Sequence, residues 1–104
     1  MKIKNLNGEF ISEIEGETLS GADLSDSDLT HADFSGLDLS GVNFTGAILR
    51  GTNFNKSHAW GAAFTGADLS DSDLTDADFS GACFVGAYLR GAVLRGTNFN
   101  GAAF

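Results

Sequence analysis

Three chemically capable side chains share one five-residue stretch, Lys56-Ser57-His58-Ala59-Trp60. A cation, an imidazole and an indole this close together form a plausible contact point, because a few such anchors dominate most interfaces. Carboxylates surround them in two runs: Asp23, Asp26, Asp28, Asp33 and Asp38, then Asp68, Asp71, Asp73, Asp76 and Asp78. A five-residue register places His58 in a column with Asp38 and Asp78, and neighbouring carboxylates favour charged imidazole. Two carboxylates and one His are a poor metal set, so no metal or other cofactor is assigned. Cys83 lacks a nearby His and reads as an ordinary thiol. No phosphate loop or pair of catalytic carboxylates stands out, and an enzyme is not expected.

The composition narrows the field further. The chain has 104 residues, a net charge of −8, fourteen Gly, no Pro and one Cys. That length suits one small domain. The acidic balance argues against direct contact with nucleic-acid phosphates and can steer the chain toward basic partners. A single Cys cannot form an internal disulfide, which suggests a reducing, cytoplasmic setting. No apolar run approaches the length of a membrane span, and no membrane role is expected.

Residues 1–18 stand apart. Lys2 to Leu6 and Glu9 to Ile14, joined at Asn7-Gly8, read as a β-hairpin. Ile3, Leu6, Phe10, Ile11 and Ile14 would provide its apolar cover, and the hairpin would cap the rest of the chain.

From Leu19 to Phe104 a large apolar residue returns at every fifth position, interrupted only by Ala59. A small residue stands two places earlier, a polar one between them, and Ser or Thr and then Gly commonly come after. Five residues advance a helix by about 140°, which scatters the apolar positions. An odd step also reverses sides along a flat strand. A fixed odd period therefore needs a turn in every unit, which makes a solenoid. The unit A-[DN]-[LF]-[ST]-G resembles the pentapeptide-repeat family over residues 19–104.

That resemblance implies an all-β, right-handed quadrilateral parallel β-helix of about four coils, roughly 20 Å tall at strand spacing. Residues twenty apart would stack into interior ladders, and Ala59 would be the undersized rung between Leu39 and Phe79. Trp60 is expected to fold over the corner and cover the space that Ala59 leaves. Gly suits type II corners, so corners at Asp26, His31, Lys56, Asp71 and Asp76 are expected to be type II less often.

Residues 20–64 and 65–104 are near copies once 56–60 is set aside as an inserted unit. The insertion would rotate the second copy by one face, so that Arg50 and Arg95 lie on adjacent faces. The functional expectation is a non-enzymatic scaffold presenting an acidic surface to an unknown protein. Its contact residues would be Lys56, His58, Trp60, Asp38, Asp78, Asp68 and Asp73. The resemblance also implies an alternative, a DNA mimic that binds or protects the type II topoisomerase gyrase. Arg50, Arg90 and Arg95 interrupt the acidic array and count against mimicry. A homodimer is expected through the C-terminal coils, at Phe99, Ala102 and Phe104.

Overall fold

The computed structural model describes residues 1–104. Its chain begins with two short antiparallel strands, β1 (Lys2–Lys4) and β2 (Phe10–Glu13). The turn between them is longer than the expected Asn7-Gly8 pair. The Asn5 side-chain oxygen accepts the backbone N–H groups of Asn7 and Glu9, both at 2.9 Å, while the Asn5 N–H donates to the Glu9 carbonyl. Asn5 organises the turn because an Asx oxygen can replace backbone acceptors locally.

β1 runs antiparallel to the first repeat units through the Asn5–Ala32 pair, with Leu6 N–H donating to the His31 carbonyl and Asp33 N–H to Lys4. Ile3 is buried there, but Leu6 and Phe10 do not provide the expected cover, at 51% and 61% exposed. Lys4 pairs with Phe10 across the hairpin, after a register irregularity between Ile3 and Lys4. Cross-strand partners share a face, so Phe10 turns outward with Lys4.

Beyond the hairpin, parallel pairings link outward residues twenty apart, from Asp23–Asn43 to Cys83–Ala103. From Leu24 to Phe84 the residue at each large position donates its N–H to the coil ahead, as Leu24 does to Asn43 at 2.8 Å. From Asn43 to Ala103 each outward residue donates to the coil behind, as Asn43 does to Ala22 at 2.9 Å. Alternation within a unit turns the small and large residues inward and the middle one outward.

At each corner the N–H three residues after the large residue bonds back to that residue's carbonyl, for example Ala62 to Ala59 at 3.1 Å. Gly corners from Gly21 to Gly101 have φ between 63° and 75°. Asp26, His31, Lys56, Asp71 and Asp76 also take positive φ, between 56° and 61°. All come after a residue of negative φ, the type II sign pattern. The expectation of fewer type II corners there is wrong. The corner N–H bonds to the next coil whatever the side chain, as Lys56 does to Thr75 at 3.0 Å, and that bond imposes the geometry. Asp accepts the left-handed region at low cost, but Lys has no such local compensation.

The interior is a stack of aromatic and aliphatic rungs. Phe44–Phe64 and Phe64–Phe84 stack at 5.0 Å and Phe34–Phe54 at 5.2 Å, with edge-on contacts between columns. Ala59 is fully buried. Its missing volume is taken up by Phe79, which meets Phe54 edge-on at 5.8 Å and Phe64 at 5.4 Å. The Phe79–Phe99 stack is correspondingly wider, at 6.1 Å. No pocket opens anywhere in the molecule, and no helix is long and apolar enough to cross a membrane.

Candidate functional site

A solid interior leaves only the outer surface available for chemistry, so the outward residue of each unit matters most. The repeat gives that residue a second task. Where it is Asp followed by Leu or Phe and then Ser or Thr, one carboxylate oxygen accepts both the backbone N–H and the hydroxyl of the Ser or Thr. Asp38 holds Ser40 in this way at 3.0 and 2.6 Å, and Asp78 holds Ser80 at 3.0 and 2.7 Å. Asp23, Asp28, Asp33, Asp68 and Asp73 do the same. Asn43, Asn53 and Asn98 accept the equivalent backbone N–H.

These bonds favour the ionised form, and hydroxyl donation from Ser or Thr is the main cause of lowered pKa values at Asp23, Asp28, Asp38, Asp68 and Asp78. His58 adds a smaller Coulombic lowering at Asp38 and Asp78. Sequence reasoning treats these Asp residues as surface charge alone. Their spacing of two residues before Ser or Thr is an Asx-turn signal and could have revealed the lock.

Asp38, His58 and Asp78 form one continuous column, as expected, with Asn98 beyond Asp78. Lys56 and Trp60 lie at the two corners of that side in the His58 coil. Trp60 is 60% exposed. It does not fold over the Ala59 space, because Phe79 already fills it from inside. Asp73 belongs to the neighbouring column with Asn53. Asp68 lies in the Asp28–Ile48–Asp68–Tyr88 column, ten residues from His58 within a twenty-residue coil and so half a coil away. It cannot share one flat contact surface with His58. Asp68 is also paired, since its second oxygen accepts from Arg50 Nε at 2.6 Å. Sequence reasoning missed this pair, although eighteen residues is one coil less two and the register could have found it.

No group of three or more His, Cys, Asp and Glu residues is placed to hold a metal ion. Cys83 lies beside Thr65, whose hydroxyl is 3.4 Å from Sγ, and that contact lowers the thiol pKa. Phe104 is 67% exposed, while Phe99 and Ala102 are half-buried in the same coil.

One buried polar atom lacks a partner, the Ser57 hydroxyl. Thr52 and Ser72 occupy the same inward position and donate to the preceding large residue's carbonyl at 2.8 and 2.6 Å. Strained Lys56, unpaired Ser57, small Ala59 and exposed Trp60 thus concentrate in one unit.

Comparison with known proteins places this repeat. A family profile described as pentapeptide repeats matches residues 18–46, 38–71, 47–84 and 72–104. Among solved structures, a pentapeptide repeat protein from the Arabidopsis thaliana thylakoid lumen is 37% identical, with a TM-score of 0.57. The match covers 75% of this chain and 61% of that one. HetL, a pentapeptide repeat protein involved in heterocyst differentiation regulation from the cyanobacterium Nostoc sp. strain PCC 7120, is 32% identical with a TM-score of 0.58. That match covers 82% of this chain and 46% of HetL. The matches therefore span about half to three-fifths of those relatives. The plasmid-mediated fluoroquinolone resistance protein QnrB1 is 25% identical over 86% of this chain and 54% of its own, but its TM-score of 0.35 supports no functional argument. Comparison with curated protein sequences returns no match. The profile match across the whole repeat region, together with the corner at every fifth residue, shows that the chain is a member of the pentapeptide-repeat family.

Proposed function

We propose that this protein is a non-enzymatic scaffold that presents an acidic face to a partner rich in Lys and Arg. The observation that carries this reading is the carboxylate lock. Asp38 and Asp78 each have one oxygen fixed by Ser and the other without a bond inside the chain. Carboxylates held on a packed core lose little freedom on binding, which reduces the ordering cost of association. Trp60 at the edge of the same side can stack on a guanidinium or ammonium group.

The supporting architecture is part of the same proposal. We take the helix as four-sided and right-handed, with residues 1–18 capping a little over four coils and 56–60 inserted between two near copies. Arg50 and Arg95 lie beside neighbouring columns, the arrangement such an insertion produces.

The test is titration with an Arg-rich dodecapeptide, monitored by Trp fluorescence. Saturable quenching that weakens about tenfold in Asp38→Asn/Asp78→Asn supports the face. Equal binding by wild type and variant overturns it. The gyrase-directed alternative draws less support, because Arg50 sits within the carboxylate array as a paired cation. A supercoiling assay with no inhibition or drug protection removes it.

A further inference from the structure

The column half a coil away from His58 has a different pattern. Its outward residues are Asp28, Ile48, Asp68 and Tyr88, in that order along the helix axis. The corner residues two places after each are Thr30, Arg50, Ser70 and Arg90. Each Asp coil presents a carboxylate beside a hydroxyl, and each intervening coil presents an exposed apolar side chain beside an arginine. Acidic and basic-apolar coils therefore alternate through all four levels. Ile48 is 42% exposed and Tyr88 64%. Arg50–Asp68 is the only ion pair in the molecule, so Arg90 has no partner within the chain.

A strip of four alternating levels is complementary to itself when reversed. Rotation by 180° about an axis that lies in the interface, perpendicular to the helix axis, lays a second copy face to face with the first and puts level one opposite level four, and level two opposite level three. Asp28 then meets the Tyr88 hydroxyl and the Arg90 guanidinium of a second copy. The Ile48–Arg50 level meets Asp68 and Ser70. The two Ile48 side chains lie one level apart, diagonally across the two-fold, beside both Arg50–Asp68 pairs. A parallel arrangement would instead set like charges opposite each other at every level.

We propose that this face is an antiparallel, side-by-side homodimer interface, the occupant being a second copy of this chain. Charge complementarity under the two-fold selects that occupant, and the contact is isologous and closed. Two chains of charge −8 repel at long range. Salt at physiological strength screens that repulsion beyond about 8 Å and leaves pairs in direct contact effective. Exposed Tyr and Arg are also the residue types enriched where interfaces gain most of their energy. The interface goes beyond the acidic His58 face, lies on the opposite side and leaves that face free.

Sedimentation equilibrium with charge-swapped chains tests the proposal. Wild type should show a monomer–dimer equilibrium. Arg90→Glu should weaken it at least tenfold, because the introduced carboxylate would then face Asp28 twice per dimer. Asp28→Lys should weaken it similarly. An equimolar mixture of the two variants should regain the dimer, since both contacts become opposite-charged. Asp28→Lys also loses the Thr30 lock, so its circular dichroism is checked first, and Tyr88→Glu, which sets a second carboxylate against Asp28, is used in its place for the disruption arm if folding is lost. Wild type that stays monomeric to millimolar concentration overturns the interface. So does a dimer indifferent to these swaps but abolished by Phe104→Lys, which would place the contact at the end of the helix.

Discussion

Units 36–40, 56–60 and 76–80 stack on one side of the helix, yet the middle one is built differently. In the outer two, an Asp locks a Ser and a large residue fills the rung: Asp38, Ser40 and Leu39, then Asp78, Ser80 and Phe79. In the middle unit His58 makes no such bond, the N–H of Trp60 is without an acceptor in the chain, and Ala59 underfills the rung. A backbone lattice that bonds at every level carries this unit in register despite its side chains. Stability in a stacked repeat comes from each unit and from its interfaces with neighbours, so one weak unit is tolerated between two strong ones.

Breaking the strong side of that contrast should give the largest effect. Phe79→Ala removes the ring that serves both its own rung and the Ala59 space, and should cost about 3–5 kcal/mol in urea unfolding. A loss below about 1 kcal/mol would mean the Ala59 space is not shared. Asp78→Ala should cost about 1 kcal/mol, because water can partly take its place as acceptor for the Ser80 donors. Lys56→Gly should stabilise by about 1 kcal/mol, since only Gly takes the left-handed corner without strain. Ser57→Ala should be neutral or stabilising by up to about 1 kcal/mol, because it deletes a buried hydroxyl with no partner. If Ser57→Ala destabilises as Ser72→Ala does, the two hydroxyls are equivalent and the contrast fails.

Acid extends the same contrast. Folding lowers the pKa of Asp23, Asp28, Asp38, Asp68 and Asp78, so folding holds their protons off more strongly than the unfolded chain does. Their contribution is fully present above the unfolded value of about 3.9. It is lost as pH falls through the lower folded values. Urea midpoints should therefore hold steady from pH 7 to 5 with respect to these groups and drop below pH 4. Ser80→Ala should raise the Asp78 value, read by NMR titration of its carboxyl carbon.

Much of this is legible in the residue pattern. The five-residue spacing from Leu19 to Phe104 leads to a corner per unit, and the ladders come from counting twenty. The Asp38–His58–Asp78 column emerges in the same way. The expectations that fail do so for identifiable reasons. Trp60 is expected to cover Ala59 because a sequence shows the missing volume but not which neighbour moves into it. Leu6 and Phe10 are expected inside because an irregularity near Lys4 leaves no trace in the apolar pattern. Lys56 is expected to change its corner because side-chain preference is visible and an inter-coil bond is not.

The sequence by itself determined the repeat, its register and the inward or outward position of nearly every residue, because these come from a period that only one kind of turn-and-strand unit satisfies. Tertiary structure decided which oxygen of each Asp is occupied, how Phe79 leans into the Ala59 rung, and that Asp68 pairs with Arg50 on the side away from His58. Those outcomes depend on contacts between coils, where residues twenty apart set one another's geometry, and no local pattern encodes the result. The unit Lys56–Trp60 keeps its place through its backbone bonds despite the weak packing of Ala59, and leaves an indole in solvent on the same side as two locked carboxylates.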